Sequence, residues 1–171
     1  MSNEKKEIKN IKQLTEKTIE EGGVLSTLYF DAIGKDKEKI EQLLVELVGR
    51  LNSEKDVVYC VGDIERAIPL EGGDFSAAAK VTILTKNFPS LARICDNYGP
   101  IGVEIIKPNE IVIKQHEAQA LILDHVHTIS NLLREIVERT MTPEERKKLA
   151  KILDARAERG KELLQKGEKK E

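Results

Sequence analysis

Tryptophan is absent from the 171-residue chain, and aromatic residues of all kinds make up only 4%. Proteins that bind single-stranded nucleic acid stack bases on aromatic side chains along a basic groove. Neither ingredient is here, since 28 Lys and Arg face 30 Asp and Glu for a net charge of -2, with both signs interspersed. No nucleic-acid partner is expected. Cysteine is scarce too. Cys60 and Cys95 lie far apart, lack a CxxC companion and sit in apolar patterns, which argues against a disulfide framework and for buried thiols in a reducing cytoplasm. No stretch approaches the ~18 consecutive apolar residues of a membrane span, and MSNEKKEIKN is charged from its start, unlike a signal peptide. No membrane association is expected. Two Met, no Trp and 34% charged residues form a balance found in thermophile proteins.

What the chain does hold is enough apolar content, 40%, for one real core. Ile8, Ile11, Thr15 and Ile19 recur at helical spacing before Gly22-Gly23, which predicts an N-terminal helix over 1–23. Next comes the strand VLSTLYFDA (24–32), then a helix from Asp36 with Ile40, Leu43, Leu44, Leu47, Val48 and Leu51 on one stripe. DVVYCVG (56–62) and SAAAKVTILTK (76–86) read as strands, and Asn87-Phe88-Pro89 opens a short helix. IGVEII and IVIK flank the turn KPNE, so 101–114 reads as a hairpin. The resulting order is βαββαβ with one extra edge strand. It predicts an α+β, ferredoxin-like antiparallel sheet over 24–114, with both helices on one face. Residues 115–171 lack strand signals and read as a C-terminal extension of two helices, the second opened by the capping box Thr142-Pro143-Glu144-Glu145.

All three histidines fall in HEAQALILDHVH (116–127), beside Glu117 and Asp124, which raises the question of a metal or acid/base centre. As one helix, the segment puts His125 in the apolar seam with Ile129. His116 and His127 share the opposite face but stand roughly 16 Å apart along the axis, so one ion cannot reach both. Zinc sites on a helix use histidines at i, i+4, a spacing missing here. The segment therefore reads as a charged amphipathic helix, with no metal, no cofactor and no catalytic residue assigned. Gly22-Gly23 and Gly72-Gly73 lack the strand–loop–helix context of phosphate cradles, and Asp63, Glu65, Glu71 and Asp74 do not follow calcium-loop spacing.

The run LSTLYFDAIG followed by GKDKEKIEQLLVELVGRL resembles the opening of ACT-like regulatory domains, in which the turn after the first strand binds a small effector at a subunit interface. The resemblance covers about 24–114 and implies Asp31, Gly34, Lys35 and Asp36 as effector-side residues. Taken residue by residue, Gly34 is a turn glycine and Asp36 a helix cap. A second expectation comes from the sheet face turned away from the helices. Tyr29, Val58, Cys60, Ala78 and Thr82 would line it, too apolar to be left in water, so the terminal helices or a second copy must cover it. The last helix adds a seam that includes Leu149, Ile152 and Leu153, flanked by Ala157, and is suited to a helix pair. The sequence thus points to a non-catalytic, homo-oligomeric structural or protein-interaction module, dimeric or higher, with a protein partner as a further option. The ACT-like sensor is the alternative.

Overall fold

The computed structural model describes residues 2–168, and side chains over 10–156, 158 and 159. Its elements are α1 (Ser2–Glu20), β1 (Val24–Gly34), α2 (Lys37–Ser53), β2 (Val57–Ile64), β3 (Ile68–Pro69), β4 (Phe75–Thr85), α3 (Phe88–Tyr98), β5 (Gly102–Lys107), α4 (Gln115–Thr140) and α5 (Pro143–Glu168). By internal contacts the chain divides into two compact units, Met1–His125 and Val126–Glu171.

The first unit is an α+β structure on an open antiparallel sheet. Its strands run in the order β2-β4-β1-β5, with the short β3 paired to β4. β1 and β4 are the long central pair, in register from Val24↔Thr85 to Gly34↔Phe75. Strand alternation then sorts side chains between two faces. Leu28, Phe30 and Ala32 of β1 and Ala77, Ala79, Val81 and Ile83 of β4 point to one face. They form the core with Ile40, Leu44 and Leu51 of α2 and Leu91 and Ile94 of α3. Both helices therefore pack on the same side of the sheet.

The other face is covered in part by the chain itself. Leu84 and Thr27 belong to it by alternation, yet both are buried without joining the α2/α3 core. α1 contacts β1, and Thr15 of α1 shares a 3.1 Å hydrogen bond with the Tyr59 hydroxyl of β2, next to Leu84 in the register. α1 is thus the element lying over Leu84. Its seat is fixed at the junction with β1. A Cβ on Gly23 would stand 2.6 Å from the Thr18 carbonyl oxygen and 2.8 Å from that of Thr85, so only glycine lets the backbones come this close. Farther along, Asp31, Val61 and Lys80 are exposed on the same face.

Two expectations are corrected. Residues 111–114 are not a strand; Ile111 packs against the core, which takes the segment out of the sheet plane, and Val112 is left outside. The fifth strand comes instead from the long connection, where Ile68 and Pro69 pair with Ser76 and Phe75 around a turn at Gly72-Gly73. The second correction concerns β2. A register irregularity between Val57 and Tyr59 inserts Val58 as an extra residue and shifts the alternation by one. Cys60 therefore packs against the core, and Val61 points out.

The second unit contains the end of α4 and all of α5. Thr142 and Glu145 form the expected capping box at the start of α5: the Thr142 N–H donates to Glu145 Oε2 (2.9 Å) and the Glu145 N–H to Thr142 Oγ1 (3.4 Å). Ser130, Leu133, Arg134 and Val137 of α4 and Leu149 and Leu153 of α5 line a shared groove.

Candidate functional site

The turn from β1 to α2 carries the four residues that the ACT-like resemblance implies. Asp36 is the N-cap of α2: its Oδ1 accepts from the backbone N–H of Glu38 (3.1 Å) and of Lys39 (3.2 Å), while Lys39 Nζ approaches Oδ2 at 3.3 Å. These bonds, the Lys39 N–H first, hold its carboxyl below the usual carboxylate range. Gly34 is imposed by packing, because a Cβ there would lie 2.9 Å from Ile40 Cγ2. Asp31 stands exposed on the open sheet face opposite Ala78, and Lys35 is exposed in the turn. An open hollow beside the turn is lined by Asp36, Glu38, Lys39, Gln42, Leu43 and Glu46. Of the four implied residues only Asp36 reaches it.

Along α4 the histidines stay separate. His125 Nδ1 lies 3.1 Å from Asp96 Oδ1 of α3, with its side chain more than half exposed rather than buried in a seam. Glu117 Oε2 accepts from the Lys114 N–H at 3.1 Å and so caps the first turn of α4. Among the described residues no group of three His, Cys, Asp or Glu is placed to hold a metal ion. The two thiols are half-buried and apart. Burial pushes Cys60 up to about 11, and burial together with the neighbouring Asp96 raises Cys95. Neither is an activated nucleophile.

The residues singled out for an interface fall in several places. Tyr29, Ala78 and Thr82 are half-buried on the face away from α2 and α3, and the Tyr29 hydroxyl donates to Glu104 Oε2 at 3.2 Å. Val58 sits in the β2 irregularity and Cys60 on the core side. Ile129 is exposed on α4, Leu149 and Leu153 line the α4–α5 groove, and the side chain of Ala157 lies outside the described residues. A further cleft of about 370 Å³ was not foreseen: Gly22, Val24, Asn87, Pro89 and Pro108 line it with Glu20, Glu110, Lys114 and Glu117. Its walls come from three separate segments, so no local motif could have announced it.

The family model of the MJ0538 family matches residues 26–156, more than three quarters of the chain. The chain belongs to the MJ0538 family. The matched span of this MJ0538 member takes in every strand but the first two residues of β1, together with α2, α3, α4 and the first half of α5. No curated protein and no solved structure matches it. No helix among the described residues is long and apolar enough to cross a membrane.

Proposed function

We propose that this MJ0538-family chain is a non-catalytic module that self-associates, and that its role is structural or protein-binding. One observation carries the reading: α4 runs for 26 residues without a buried one, while its large aliphatic residues from Ile122 to Ile136 are 44–64% exposed. A continuous apolar stripe of this length on a lone chain marks a surface that another chain covers. The strand order β2-β4-β1-β5, with β3 as a side strand, supports a ferredoxin-like arrangement. Two free, unreactive thiols suit a reducing cytoplasm. Analytical ultracentrifugation at tens of micromolar tests the reading. A multiple of the 19.2 kDa chain mass is expected, and a monomer throughout that range overturns it.

A second reading, an ACT-like small-molecule sensor, draws on the strand order and on the hollow beside Asp36. It requires a ligand that raises the melting temperature in a screen of amino acids and nucleotides; a screen without any such compound ends it.

A further inference from the structure

The groove between α4 and α5 uses only one flank of the α4 stripe. Ser130, Leu133, Arg134 and Val137 line it with Leu149 and Leu153, with Leu133 still 56% exposed. At 3.6 residues per turn, Ile129 and Ile136 point roughly 100° and Leu132 roughly 150° away from that direction. They remain exposed, as does Val126 on the groove side of the helix. The two-residue link Met141-Thr142 and the residues that share the groove turn α5 back along α4. In such an antiparallel hairpin Ile152, which lies about one sixth to one quarter of a turn from Leu149 and Leu153, is carried to the same side as Ile129 and Leu132. The hairpin thus presents one apolar face built from both helices.

We propose that this face docks on the same face of a second copy, so that two α4–α5 hairpins make an intermolecular four-helix bundle with Ile129, Leu132, Ile136 and Ile152 at its centre. The proposal rests on the self-association reading and names the surface that performs it. Area selects the occupant. Ile129, Leu132, Ile136 and Ile152 are 44–64% exposed and offer on the order of 100 Å² each, about 400 Å² together. A stable dimer buries about 800 Å² per partner, of which homodimers make about 65% apolar. The face thus supplies most of the apolar area that such a dimer needs. Flanking charges of both signs, such as Glu135 and Arg139, let the face meet its own copy without a net repulsive field. Two other surfaces suit a second copy less well. The free edge of β5 is bent by a register irregularity opposite Leu25/Ser26 and closed by Lys107-Pro108, features that hinder strand addition, and the outer sheet face is partly taken by α1.

Sedimentation velocity on the full chain tests the proposal. Wild type is expected at twice 19.2 kDa. Leu132→Asp raises the dimer Kd by a hundredfold or more, while Val103→Asp on β5 and Val61→Asp on the outer sheet face leave it unchanged. Because aspartate can melt the hairpin, Ile136→Ala is the companion variant. It keeps a strong helix former, and a Kd raised about tenfold with an unchanged helical circular dichroism signal supports the seam. A wild-type monomer ends both this proposal and the self-association reading. A dimer indifferent to both Leu132→Asp and Ile136→Ala, or one broken by Val103→Asp or Val61→Asp alone, ends only this one.

Discussion

Leu84→Ala tests whether α1 truly seals the sheet face opposite α2 and α3. Leu84 has no exposed surface and stands in register between Leu25 and Tyr59. The substitution removes three carbon groups, each worth about 0.8 kcal/mol on transfer from water. The cavity left under a helix that cannot follow inward brings the loss to about 3 kcal/mol. In a chain of this length 1 kcal/mol moves Tm by about 2–4 °C, so a fall of roughly 6–12 °C is expected. The control is Val61→Ala, on the same face but 62% exposed, which should stay within about 0.5 kcal/mol of wild type. Urea titrations at two protein concentrations provide the numbers and separate folding from association. If Leu84→Ala costs no more than Val61→Ala, Leu84 is not covered and the placement of α1 is wrong. If its cost appears only at the higher concentration, the cover is a second copy rather than α1.

Three further outcomes are expected. The Ser26 hydroxyl is buried without a hydrogen-bond partner among the described residues, so Ser26→Ala should leave stability unchanged or raise it by up to about 1 kcal/mol; a loss of more than 1 kcal/mol in the same titration would reveal a partner. With Cys60 pushed up to about 11, a thiol reagent at pH 8 should label it about a hundredfold more slowly in the native protein than after denaturation, and equal rates would contradict its packing on the core. The Asp36 carboxyl, lowered by the Lys39 and Glu38 N–H groups, contributes stability that is present above its unfolded value and is lost as pH falls below about 4 toward its folded value; Asp36→Asn, which still caps but does not titrate, should flatten the stability-against-pH curve in that acid range, and an unchanged slope would refute the assignment.

Local chemistry was legible before any coordinates. Asp36 as the cap of α2, Asn87 with Pro89 at the start of α3 and the Thr142–Glu145 box depend on residues within one turn of each other, and all three are found in place. What depends on distant contacts was not. IVIK alternates like a strand, but alternation cannot tell a paired strand from an extended segment that tucks Ile111 into the core. One inserted residue at Val58 reversed the inside and outside of β2, and no turn residue in DVVYCVG signals it. α1 showed a stripe of its own, which says that a helix has a side to bury but not against what; the residues that do the seating, Thr15 and Thr18, are polar. The site implied by resemblance came apart for a similar reason: Asp31, Gly34, Lys35 and Asp36 are neighbours in sequence, yet strand alternation, packing against Ile40 and capping send them to different tasks.

The bracing of the sheet by its own leading helix has a practical outcome. The span common to the family begins at residue 26, downstream of Glu20, where that helix ends. A protein trimmed to that span would strip the cap from Leu84 and Thr27 and lose the close Gly23 junction that seats it, turning a dry seam into a sticky strip in the middle of the sheet. Shortened versions should therefore clump.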